Sequence, residues 1–311
     1  MPIKGVLRPG HVAIRVLDLE EAVKHYTSIV GLREVARDGR GRVFLKAWDE
    51  WEHHSVILRE AGQAGIDYMG WRVTSPEVMK QLSLDIIESG LCSDCKWLPA
   101  GDDPGTGERF SFVIPTGHTM ELYAEKEMIA SEVGYLNPEP WPEHGVIGMS
   151  PTRFDHCLLY GDDIDGTTKL FTEVLGFDLS EKVVDKNDGS LAGAFFACAN
   201  KAHDVAFIRY PEKGKLHHIS FFLDSWNDVL RAADLISMNN VSLDIGPTRH
   251  GITRGTTIYF FDPSGNRNEV FCGGYIQYPD KPVIHWDLDE LGKGIFYHTR
   301  QLNEAFLTVV T

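Results

Sequence analysis

Apolar and polar positions along this chain follow one grammar written four times. Short runs rich in β-branched and aromatic residues, GRVFLKAW, ERFSFVIP, SLAGAFFACA and TTIYFFD, predict strands. Between the strands lie stretches with apolar residues at helical spacing. In EEAVKHYTSIVG these are Ala22, Val23, Tyr26, Ile29 and Val30, with Asp18 placed to cap the start and Gly31 able to take the left-handed ending. WNDVLRAADLISMNN repeats the spacing, with Asn239 or Asn240 in the glycine's place. Each unit runs to about sixty residues: strand, amphipathic helix, turn, more strands. A βαβββ unit cannot bury its sheet face alone, so neighbouring units should pair. The predicted fold is therefore α+β, with four βαβββ modules paired into two partly closed barrel domains, residues 1–145 and 146–311.

The halves also share a register. His11 precedes Gly31 by the same interval as His156 precedes Gly176, and Pro115 precedes Glu121 as Pro263 precedes Glu269. Within each half a second unit opens seven residues before a serine, at Tyr68 before Ser75 and at His218 before Ser225. The equivalent trios are thus His11, Tyr68, Glu121 and His156, His218, Glu269. Only the second holds two imidazoles and a carboxylate.

Composition narrows the reading. With 43% apolar residues, the 311-residue chain can fill two cores. No apolar stretch approaches a membrane span, and MPIKGVLRPG lacks a signal peptide's apolar region. A net charge of −15 argues against nucleic acid or an anionic membrane as partner. Five scattered cysteines suggest reduced thiols in a cytoplasm. Cys92 and Cys95 form a CxxC without a second pair, which reads as a surface turn. GDDIDG lacks the glutamate of a calcium loop and reads as a solvated turn, and GDDPGTG lacks the lysine of a phosphate loop and reads as a connector.

Side chains alternate faces along a strand, so His156, His218 and Glu269 can converge inside one barrel. Two imidazoles and one carboxylate leave adjacent coordination positions open, the arrangement of non-heme Fe(II) oxygenases; zinc or nickel could take similar ligands without supplying a redox route. A single histidine on an apolar strand is more often a hydrogen-bonded core residue than a ligand. The repeat changes that balance, because independent core residues would not fall at equivalent points of two units. His217 competes with His218, and the register favours His218. His53 and His54 have no such register and are expected to be solvated.

The run TRHGITRGTTIYFFDPSGNRNE from Thr248 to Glu269, with RFDHCLLYGD, KAHDVAFI and LHHISFFL, resembles the extradiol ring-cleavage dioxygenases of the vicinal oxygen chelate superfamily, with the catechol 2,3-dioxygenases nearest. The likeness extends from RPGHVAIRVLD to LNEAFLTVVT. It implies a catalytic second half, Fe(II) held by His156, His218 and Glu269, and a homotetramer. It further marks His203, His250 and Tyr259 as active-site groups, and places Phe195 or Phe196, Ile252, Ile295 and Phe306 around the substrate ring. The segment LGKGIFYHTRQLNEAFLTV is expected to pack as a helix over the site. The implied substrates are dioxygen and catechol or alkylcatechols, since no basic cluster for a carboxylated ring is evident apart from Arg249 and Arg254.

Tyr68 breaks the trio in the first half, so His11 and Glu121 are expected to be relics with structural hydrogen bonds. A metal-dependent isomerase or thiol transferase of the same superfamily, or a non-catalytic binding protein, would share the fold. Neither needs the set His203, His250 and Tyr259.

Overall fold

The computed structural model describes residues 4–311. In the first half, strands β1 (Val6–Val16), β2 (Arg33–Arg37), β3 (Arg42–Lys46), β4 (Val56–Glu60), β5 (Gly65–Val73), β6 (Ser93–Leu98), β7 (Arg109–Val113) and β8 (Thr119–Tyr123) form one sheet. Its order is β2-β3-β4-β1-β5-β8-β7-β6. The second half repeats the series as β9 (Arg153–Gly161), β10 (Asp178–Val184), β11 (Leu191–Ala197), β12 (Val205–Arg209), β13 (Lys215–Phe222), β14 (Leu243–Arg249), β15 (Gly255–Phe261) and β16 (Arg267–Gly273). The order there is the same, read from the other edge, with one extra strand, β17 (Ile284–Asp287), parallel to β10. Each sheet is a strip whose edge strands do not pair with each other, so both barrels stay open. This is the fold expected from the fourfold pattern.

Each module carries one helix: α1 (Leu19–Lys24), α2 (Pro76–Ser89), α3 (Ile164–Lys169) and α4 (Trp226–Met238). Their ends obey local chemistry. Asp18 accepts the Glu21 amide at 2.9 Å, and Ser75, Asp163 and Ser225 cap the other three. α1 and α3 both run on into a wide π-helical turn, at His25–Val30 and Leu170–Val174. Gly31 follows the first with φ 97°, where an added Cβ would lie 2.1 Å from the Ile147 carbonyl oxygen, so both the backbone and the space require glycine. After α4 it is Asn240 that takes the left-handed conformation.

The core differs from expectation. Instead of one core per half, a single apolar cluster runs from Val6 to Cys272 through both sheets and all four helices. Trp71 on β5 meets Phe171 and Phe177 edge-on, with centroids 6.2 and 5.0 Å apart. Alternation along β9 divides the two faces: Cys157 and Leu159 enter this cluster, and His156, Leu158 and Tyr160 face a cavity on the other side.

The C-terminal segment is not the continuous helix expected. It holds a short 3-10 turn (Leu288–Glu290) and two five-residue helices, α5 (Leu291–Ile295) and α6 (Glu304–Thr308). The chain folds back on itself between them, with the Arg300 carbonyl 2.4 Å from where a Cβ on Gly292 would stand and Arg300 itself at φ 58°. Among the described residues no helix is long and apolar enough to cross a membrane.

Candidate active site

The sheet pairs the two trios in one register. His11 lies opposite Gly70, Ala13 opposite Tyr68, and Gly70 beside Glu121. In the second half His156 lies opposite Ser220, Leu158 opposite His218, and Ser220 beside Glu269. Three adjacent central strands therefore deliver each trio to the inner face.

In the second half the ligand atoms of His156, His218 and Glu269 lie within 4.8 Å of one another, all buried. His156 Nε2 is 3.1 Å and His218 Nε2 3.4 Å from Glu269 Oε2. The partners of the other ring nitrogens fix the tautomers. His217 Nε2 donates to the Phe306 carbonyl at 2.7 Å, so its Nδ1 accepts from His218 Nδ1, also at 2.7 Å. His156 Nδ1 donates to Asp155 Oδ1 at 2.9 Å. Both Nε2 atoms thus present lone pairs to one point, and the buried Nε2 of His218 has no hydrogen-bond partner. His217 is the orienting residue, and His218 faces the site.

The electrostatics ask for a cation at that point. Burial pushes the Glu269 carboxyl up, but the imidazoles of His156, His218 and His250 around it outweigh this and hold it well below its usual range. Burial brings His218 down to about 4, which keeps it neutral. His156 is depressed by burial too, yet Asp155 and Glu269 outweigh this and raise it. Two neutral-capable imidazoles and one anionic oxygen on an orphaned lone pair fit a divalent metal. Hydroxyls of Ser220 and Thr257 hold Glu269 at 2.6 and 2.5 Å.

The remaining predicted residues surround this point. The His203 ring lies 4.1 Å from that of His156 and 5.5 Å from Phe195, and burial with the neighbouring His156 keeps it well below the ordinary imidazole range. The Tyr259 hydroxyl donates to His250 Nε2 at 2.7 Å, and His250 Nδ1 donates to the Ile295 carbonyl at 2.5 Å. All three line a cavity of about 240 Å³, together with Phe195, Ile252, Ile295 and Phe306. Phe196 does not. It alternates to the opposite face of β11 and packs in the core against Phe171 and Phe207 at 5.2 and 6.0 Å. Sequence reasoning missed Asp155 and Lys201, whose Nζ lies 3.1 Å from Asp155 and 3.0 Å from Asp204. The acidic residue beside the candidate ligand His156 in RFDH was the available signal.

The first half corrects one expectation. His54 is not solvated but 1% exposed; GDDPGTG is the connector expected, between β6 and β7, though its Asp103 is fully buried. With His11 they form a second group whose ligand atoms lie within 4.8 Å. Cations already occupy its surroundings. Lys126 Nζ donates to His11 Nδ1 at 3.0 Å, which leaves the proton on His11 Nε2, and Arg42 and Arg109 both pair with Asp103. Tyr68 donates to Asp103 at 2.7 Å, and Arg109 Nε stands 3.1 Å from Glu121. This set repels a metal rather than inviting one.

Residues 153–270 match the Glyoxalase/Bleomycin resistance protein/Dioxygenase superfamily, and residues 66–127 match the catechol 2,3-dioxygenase-like N-terminal domain. A metapyrocatechase of Pseudomonas sp. (strain CF600) is 56% identical over 309 residues, 99% of either chain. A manganese-dependent 2,3-dihydroxybiphenyl 1,2-dioxygenase of Geobacillus genomosp. 3 is 31% identical, over 93% of this chain and 92% of that one. The crystal structure of the 2,3-dioxygenase LapB from Pseudomonas sp. KL28 superposes with a TM-score of 0.88 at 50% identity, covering 92% of this chain and 98% of the other. Whole-length identity at this level, on the same fold, means that the chain belongs to the metapyrocatechase family of extradiol dioxygenases.

Proposed function

We propose that the protein cleaves catechol or alkylcatechols beside the diol, with ferrous iron held by His156, His218 and Glu269, to give 2-hydroxymuconic semialdehyde-type products. The observation that carries this reading is the convergence of two Nε2 lone pairs and a carboxylate oxygen at the wall of an apolar cavity. The ion, when bound, supplies the charge that acidifies the diol and the redox route to dioxygen.

The chain's own groups do the rest. Phe195, Ile252, Ile295 and Phe306 exclude water and flank a flat ring. His203, kept neutral by burial, accepts a hydroxyl proton and returns it as the oxygen–oxygen bond breaks. His250 and Tyr259 hydrogen-bond to the substrate oxygens and fix which ring bond is cut. In the same reading, residues 1–145 form a scaffold with a degenerate site, residues 146–311 the catalytic domain, and the enzyme works in the cytoplasm as a homotetramer.

The test is to load the protein anaerobically with Fe(II) or with Mn(II), admit catechol and air, and follow oxygen uptake with product absorbance. Equimolar uptake and a yellow semialdehyde with Fe(II) are expected. Colourless muconate, or turnover with Mn(II) alone, would overturn the bond assignment or the metal assignment respectively.

A further inference from the structure

Behind the cavity wall, on β10, stands a carboxylate that the chemistry above does not use. Glu181 is fully buried, and no lysine or arginine nitrogen among the described residues pairs with it. It accepts from three neutral donors: the Thr253 amide at 2.7 Å, the Tyr275 hydroxyl at 2.9 Å and the Trp286 indole at 2.6 Å. These belong to three separate segments: the turn after His250, the stretch after β16, and β17 ahead of α5. The first two border the cavity, and the third leads into α5, whose Leu291 and Ile295 line it.

The turn they meet is held against its own preference. Thr253 and Arg254 are consecutive non-glycine residues in the left-handed region, at φ 56° and 62°. The C-terminal segment grips the same turn, with Gly251 and Ile252 amides donating to the Gly294 carbonyl at 2.8 and 2.9 Å and His250 Nδ1 donating to Ile295. Trp286 packs beneath, its ring 3.0 Å from where a Cβ on Gly251 would stand.

We infer that Glu181 is a positioning residue for His250, a tie-bar that sets the height of the His250 turn and of the C-terminal segment over the cavity. Only a carboxylate serves all three donors. A glutamine keeps one accepting oxygen and turns its amide hydrogens toward a donor. The inference rests on the proposed role of His250 in holding substrate, and the loss of ring cleavage in the His250→Asn single variant tests that role separately.

The decisive measurement is a double-mutant cycle on the ferrous-iron-loaded enzyme, with Glu181→Gln made in the wild type and in His250→Asn. Expected is a loss of about tenfold in kcat/KM in the first background and under about twofold in the second, at unchanged metal content. Amide exchange of residues 250–256 and 284–296 should quicken in Glu181→Gln. Trp286→Phe removes a single donor and serves if the glutamine variant does not fold; its loss should be smaller and again confined to the wild-type background. Equal losses in both backgrounds, no loss in either, or unaltered exchange in both segments would overturn the assignment.

Discussion

The two inner faces of this protein begin from the same register and end as opposites. In the second, three side chains hold a point of unmet negative charge beside an apolar cavity. In the first, the equivalent space is filled: Tyr68 stands where His218 does, Asp103 and His54 fold inward, and Lys126, Arg42 and Arg109 supply positive charge from the chain itself. Even the neighbour of the carboxylate differs. Ser220 holds Glu269, whereas its counterpart Gly70 leaves room for the His11 ring, which a Cβ there would meet at 2.2 Å. One face gathers two imidazoles and a carboxylate with no lysine or arginine among them, and the other sets lysine and arginine nitrogens against the same register.

The comparison breaks first at its ligands. His218→Ala should shed the metal and, since such an ion contributes several kcal/mol to the transition state, lower oxygen uptake by about a thousandfold; Tyr68→Phe should leave both within about twofold. Metal analysis beside an oxygen electrode reads the pair. His203→Ala should keep its metal yet lose about a hundredfold to ten-thousandfold in turnover, and wild-type turnover in that variant would remove the role.

Asp103→Ala strands Arg42 and Arg109 without their shared carboxylate, so urea unfolding should show a loss of about 3–5 kcal/mol at unchanged metal content. The smallest effect concerns pH. Burial brings the buried Lys126 down from 10.5 to about 7. Between those values the unfolded chain holds a proton that the native one has shed, so stability rises with pH across that window. Lys126→Met should flatten the rise in Tm between about pH 7 and 10.

What was legible in the sequence follows from period. Helices and strands repeat at intervals that survive in both halves, so the pairing of His156 with His218 and Glu269 could be counted before any strand was seen. What stayed hidden depends on partners far away in the chain. GDDPGTG has the composition of a solvated connector, and Asp103 is buried only because Arg42, sixty-one residues earlier, reaches it. Phe195 and Phe196 are adjacent and alike; only the pairing of β11 with β12, which sets Phe195 opposite Ala206 and Phe196 opposite Val205, turns the first to the cavity and the second to the core. The C-terminal segment carries helical spacing, but its backbone turns back where Gly292 admits the Arg300 carbonyl.

The apolar cluster common to both sheets makes the two halves depend on each other. Residues 146–311 by themselves would leave Phe171 and Phe177 without Trp71, and the Asp262 carboxylate without the Tyr26 hydroxyl that now donates to it at 3.1 Å. The outer face of the second sheet would keep its own helices α3 and α4 but lose the apolar cover that the first half supplies. Residues 146–311 alone are therefore expected not to fold as stably as they do beside the first half.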